Sequence, residues 1–204
     1  MVWDFRKHRS PFVPVTINNT SVEVVDSYKY LGLTMDNILS FASHIKSQVR
    51  KANKRVYCIR SMRSLRVNQD IISMFYNATV PSVLMYAACS FYGSLTVQLK
   101  SELERPHNIC QRIVPNSTIL SNDNVYMTRM KSLSEKIMKD TAHPLHHEFQ
   151  LLPSGRRLRV PYARTNRFKN TFVPLSIKYM KDNWTIFYFL HFIVKAQKFH
   201  LCDQ

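Results

Sequence analysis

The chain has 204 residues, a formal net charge of +16 and only three glycines, Gly32, Gly93 and Gly155. So few glycines argue against a glycine-rich phosphate-binding α/β fold, whose tight loops need small residues, and favour helices joined by loops. The charge excess repels itself unless a polyanion is close, which points to DNA, RNA or an anionic membrane surface as partner.

Met1–Ser10 is charged and lacks the apolar run of a signal peptide. The expected location is therefore intracellular, nuclear or cytoplasmic, and not secreted. Cys58, Cys89, Cys110 and Cys202 form no C-x-x-C pair, the close spacing that a zinc knuckle requires. The late apolar run Trp184–Val194 is shorter than the roughly 20 residues of a membrane-spanning helix, so no membrane is expected.

In chain order, Val13, Val15 and Ile17 alternate, and Val22 and Val24 follow after Asn18-Asn19-Thr20. Two alternating apolar runs about an Asn-rich turn predict a β-hairpin. A third strand is predicted at Tyr28–Met35, where Gly32 permits a bend or a close backbone approach. The period then changes. Ile45, Val49, Ala52, Val56, Ile59 and Met62 recur at three and four residues, one face of a helix over about residues 40–65 with Ser40 as its N-cap. No acid lies between Asp36 and Asp70, while Lys46, Arg50, Lys51, Lys54, Arg55, Arg60, Arg63 and Arg66 do. Lys46, Arg50 and Lys54 are spaced i, i+4, i+8 and line one side. Like charges so placed weaken an isolated helix, a cost that a phosphate backbone reverses.

Gln69–Tyr92 is apolar nearly all round and predicts a buried helix pair, broken or kinked at Pro81, with its aromatics in the core. Leu95–Val114 has helical spacing disturbed at Pro106, Pro115–Asn124 reads as a polar loop, and Val125–Asp140 as a further helix. His143, His146, His147 and Glu148 read as a turn and a capped helix start. A metal triad completed by a distant His191 or His200 would need a surrounding jelly roll, and the residues after Glu148 do not alternate. Neither a metal site nor a cofactor is expected. Between Gly155 and Lys181 lie Arg156, Arg157, Arg159, Arg164, Arg167, Lys169, Lys178 and Lys181, with no acid and with Tyr162, Phe168, Phe172 and Tyr179 interleaved. Cations with aromatics suit single-stranded nucleic acid; the same charges also suit a flexible nuclear-import segment.

The segment Asp26-Ser27-Tyr28-Lys29-Tyr30-Leu31-Gly32-Leu33, preceded by the hairpin, resembles the region just after the catalytic palm of non-LTR (LINE-type) retrotransposon reverse transcriptases. The basic and apolar helices resemble that family's thumb, through Phe75-Tyr76, Pro81, Leu84, Tyr86 and Gly93. His143–Phe149 and Arg164–Leu175 resemble the tail of such polyproteins, so the resemblance covers roughly residues 2 to 181. It implies a primer-grip-like role for Tyr28, Tyr30, Leu31 and Gly32. It also implies a parent activity of RNA-directed DNA polymerisation.

The chain departs from the family in three ways. Polymerisation needs paired carboxylates holding two divalent metals, and this sequence has no adjacent aspartates. The expectation is that the family's x-x-D-D motif lies upstream of Met1. Pro106 stands where the family continues a helix, and Trp184–Gln204 matches nothing in it.

The expected fold is α+β: an N-terminal β-hairpin plus third strand, a mainly helical thumb-like region, and a basic, partly disordered tail. The expected divisions are 1–36, 37–114, 115–181 and 182–204. The expected function is that of a catalytically incomplete fragment, not an enzyme, that binds RNA or DNA backbone without sequence preference and takes no small-molecule substrate. Its contacts are expected at Lys46, Arg50, Lys51, Lys54 and Arg55, and at Arg156, Arg157, Arg159, Arg164, Arg167 and Lys169. Two other readings stand beside it. The Lys46–Arg66 helix is also similar to an N-terminal helix of AlkB-type tRNA-modifying enzymes, without any of their catalytic residues. The second alternative is an inert pseudogene product.

Overall fold

The computed structural model describes residues 15–114, 121–154 and 157–182. It is α+β, with two small antiparallel hairpins followed by helices. Among the described residues two compact units are formed, one from those up to Phe91 together with those from Leu95 to Asp123, the other from Tyr92–Ser94 together with those from Asn124 onward.

In the first unit, β1 (Thr16–Ile17) pairs with β2 (Thr20–Ser21) across Asn18 and Asn19. Both asparagines take positive φ, as a tight two-residue turn requires. The hairpin is much shorter than the alternating sequence suggests, and Val15, Ile17, Val22 and Val24 are exposed. Alternation marks one face but does not guarantee a surface to bury it on. Val13 lies outside the described residues.

The single strand expected at Tyr28–Met35 is instead a second hairpin. Strand β3 (Ser27–Tyr30) pairs with β4 (Leu33–Asp36), with Tyr28 opposite Met35 and Tyr30 opposite Leu33. Leu31 and Gly32, at φ 45° and 82°, reverse the chain. Glycine tolerates this conformation freely, so it acts here as a turn residue and not as a bend within one strand.

The basic helix is α1 (Ala42–Ser64). Ser40 is not its N-cap. That place is taken by Phe41 at φ 59°, ψ 12°, with no side-chain cap bond. The ring of Phe41 is buried and lies 5.9 Å from that of Phe91, so burial of an aromatic offsets a left-handed backbone. Ser40 still serves the entry to the helix. Its Oγ accepts from Ala42 N (3.3 Å), and the Asp36 carboxylate accepts from the Ser40 amide (2.6 Å) and hydroxyl.

Helix α2 (Gln69–Leu84) is capped by Asn68, whose side chain accepts from Asp70 N at 2.9 Å, and Asp70 complements the positive helix start. Pro81 lies inside the helix, which continues to Leu84 and is followed by the short α3 (Ala88–Phe91). The expectation of a helix buried on every side needs correcting. Ile72, Tyr76, Val80 and Leu84 are buried at a spacing of four, while Ile71 and Met74 (71% exposed) face outward. An apolar composition did not fix which side packs. The stretch Gln69–Ser94 is long and apolar enough to cross a membrane by length and composition alone. Its four-residue buried stripe is nevertheless that of a helix packed on protein, and α2 packs on α1.

Helix α4 (Val97–Ile113) starts at Thr96, whose hydroxyl accepts from Leu99 N, and runs unbroken through a buried Pro106. The disturbance expected at Pro106 does not occur. Burial of the ring beside Leu103, His107 and Cys110 is set against the one backbone bond it removes. Helix α5 (Asn122–Lys139) begins inside the expected polar loop, where Asn122 N donates to Glu104 at 3.0 Å; residues 115–120 lie outside the description.

In the second unit Ile137, Phe149, Leu158, Ile177 and Met180 form a core flanked by Leu133, Met138, Phe172 and Val173. Two helices occur where the sequence had shown only charge, α6 (Asn166–Lys169), capped by Thr165, and α7 (Phe172–Asp182). Gly93 has a physical reason to be glycine, since a Cβ there would lie 1.8 Å from the Asn170 carbonyl oxygen.

Candidate nucleic-acid interface

One side of α1 is tied down by the core. Ile45, Ala52, Val56 and Ile59 are fully or nearly fully buried, as are His44 and Gln48. At about 100° per residue, Lys46, Arg50 and Lys54 then fall within an arc of about 80° on the opposite side. All three are exposed. Lys51 is exposed and Arg55 half-buried, but both stand about 140–180° from Lys46, off this row. Arg55 turns back on its own helix and donates to the Lys51 carbonyl (3.1 Å), and Arg63 donates to the Ile113 carbonyl. Among the described residues Lys46, Arg50, Lys51 and Lys54 have no carboxylate partner. Their charge is left to solvent or to a ligand.

Sequence reasoning missed one member of this face. Tyr57, the only tyrosine, phenylalanine or tryptophan of α1, is 71% exposed and lies about 20° from Lys46, inside the cationic arc. The spacing 46, 50, 54, 57 carried the signal.

Tyr28, Tyr30, Leu31 and Gly32, for which the resemblance implies a primer-grip-like role, lie on the second hairpin, which is pinned at two points. Tyr86 donates its hydroxyl to the Leu31 carbonyl (2.7 Å), and its ring would lie 3.3 Å from a Cβ at Gly32. Thr34 N donates to His44 Nδ1 at 3.4 Å. Tyr28, Tyr30 and Leu31 are exposed. Burial, and secondarily the charge of Lys51, push the His44 pKa down from 6.5. A neutral ring accepts at one nitrogen only: at Nδ1 from Thr34 N, or at Nε2 from the Gln48 side-chain nitrogen, which lies 3.3 Å away. Hairpin and basic helix therefore meet at a neutral buried imidazole.

Behind α1 is a second buried polar contact. Tyr76 Oη lies 2.7 Å from His107 Nδ1, and Cys110 is fully buried one turn further along α4. Burial lowers the His107 pKa, raises that of Tyr76 and pushes the Cys110 thiol up to about 11, against a smaller opposing pull from Arg60. All three groups are thereby held neutral. A thiol so protonated is no nucleophile, so this trio belongs to the core.

The second basic segment is arranged differently. Arg157, Arg159, Arg164, Arg167 and Lys169 are exposed, and Arg156 lies outside the described residues. Arg157 and Arg159 flank the buried Leu158, whose backbone bridges to Leu151. Arg167 and Lys169 sit on the four-residue α6. These cations share no helical face. Of the interleaved aromatics, Tyr162 (85%) and Phe168 (45%) are exposed, whereas Phe172 packs against the core with its ring 6.5 Å from Phe149.

The histidines weighed for metal are engaged locally. His143 Nδ1 accepts from Leu145 N (3.1 Å), His146 Nδ1 bonds the Ile137 carbonyl (3.0 Å), and His147 lies 3.1 Å from Glu148. Among the described residues no three His, Cys, Asp or Glu side chains are grouped to hold a metal. His191 and His200 lie outside them.

Comparison of the chain with protein-family models, curated proteins and solved structures returned no significant match.

Proposed function

We propose that this chain is a fragment derived from a non-LTR retrotransposon reverse transcriptase that binds RNA or DNA backbone, intracellularly, without polymerising. The observation that carries the binding is the row Lys46, Arg50, Lys54: three exposed cations without carboxylate partners on a helix whose opposite face is buried. A rigid row of this kind needs no rearrangement to meet successive phosphates, and backbone contacts carry no base information. The order of hairpin, basic helix and apolar helix supports the family origin. The lack of adjacent aspartates in this sequence supports binding without catalysis.

The test is a binding titration across salt concentrations, run beside primer extension with magnesium or manganese. Affinity should fall with a log–log slope of about −0.9 per neutralised phosphate on duplex DNA and about −0.7 on single strands. No primer should be extended and no 2-oxoglutarate turned over. Absence of binding at about 50 mM salt would end this reading, and turnover of either substrate would replace it.

A further inference from the structure

We propose that the exposed face of α1 is a single-strand-selective surface on which Tyr57 stacks an unpaired base while Lys46, Arg50 and Lys54 hold the flanking phosphates. The inference rests on the proposed backbone binding and adds the strandedness of the ligand. A lone exposed aromatic is ordinary on a protein surface and carries nothing by itself. Its setting is what counts. Tyr57 lies angularly between Lys46 and Arg50, one turn beyond Lys54, and its ring contacts no other ring among the described residues. The four positions span about 17 Å along the helix, the reach of a few nucleotides.

Charge complementarity selects a polyanion, because α1 contains seven cations and no acid. The ring then selects among polyanions. In a duplex both faces of each base are covered by its neighbours, so an aromatic among phosphate-binding cations meets only sugar and backbone. In a single strand the base faces are open, and every base offers a π-face, so stacking adds affinity without sequence preference. The helix cannot turn Tyr57 away, since Val56 and Ile59 beside it are buried.

The experiment compares wild type, Tyr57→Ala, Tyr57→Phe and the triple variant Lys46→Gln/Arg50→Gln/Lys54→Gln by fluorescence anisotropy. The probes are a labelled mixed-sequence single-stranded DNA and its duplex, over a salt series. Circular dichroism melting serves as the fold control, which exposure of the side chain predicts Tyr57→Ala to pass. Tyr57→Ala should weaken single-strand binding roughly 5- to 150-fold with the salt slope kept, and Tyr57→Phe should retain affinity. Duplex affinity should be unchanged in both. Unchanged single-strand affinity in Tyr57→Ala, or an equal loss on duplex, would overturn the inference while leaving backbone binding standing. Failure of wild type to bind either probe would remove both.

Discussion

Helix α1 and the stretch from Arg157 to Lys181 each hold seven cations and no acid, yet they present them in different ways. On α1 four buried apolar residues from Ile45 to Ile59 fix the rotation of the helix, and the charges that fall opposite become a row. In the later stretch the buried anchors are far apart, at Leu158 and then Pro174, Ser176, Ile177 and Met180, with a four-residue helix between them. The same charge density is there spread over segments with no shared direction. Charge gives long-range attraction in both places, but only the regular burial of one face converts it into a spaced set of contacts.

The comparison breaks most directly if the buried face is undone. Replacing Ile59 with Ala should lower stability by about 2–5 kcal/mol, read by urea denaturation, because the fully buried side chain leaves a cavity. The salt-dependent binding carried by the row should fade at the lower denaturant midpoint. Binding that persists after the first unit has melted would assign it to the later stretch instead.

The next largest effect concerns the charges themselves. Lys46→Gln/Arg50→Gln/Lys54→Gln should reduce the salt slope by about two to three and weaken binding at low salt on the order of a hundredfold. Arg157→Gln/Arg159→Gln/Arg164→Gln removes as much charge, and it should do less because those cations are not aligned. A larger loss in the second variant would reverse the order of the two regions.

A smaller, pH-dependent effect sharpens the same point. His44 and His107 both lie in the first unit, and burial depresses both pKa values below 6.5. Below that pH the unfolded chain takes up protons that the folded chain refuses. The stability they contribute is therefore complete above about pH 6.5 and is lost as pH falls toward the folded pKa values. Melting temperature should drop between pH 7 and pH 5. His107→Gln and His44→Gln should each flatten that profile, whatever they do to stability at neutral pH. An unchanged profile in both variants would show that neither imidazole is held neutral.

Much of this was legible in the sequence. The 3–4 spacing from Ile45 to Met62 located α1, its buried face and the aligned cations, because one apolar stripe on a helix leaves only one direction for the core. The Asn18-Asn19 turn was visible for a similar local reason, since so few residue types accept positive φ. The tertiary structure decided the rest. The turn at Leu31-Gly32 is held by the Tyr86 hydroxyl, 55 residues away, a contact that no local pattern announces. Which side of α2 is buried was undecided because the sequence is apolar on every side, and only packing on α1 and α4 chose Ile72, Tyr76, Val80 and Leu84. Pro106 inside α4 and Phe41 at the start of α1 were settled by burial outweighing a local backbone preference. The spacing 46, 50, 54, 57 sets Tyr57 in the cationic row, but its exposure follows from the helix being fixed in rotation by its opposite face.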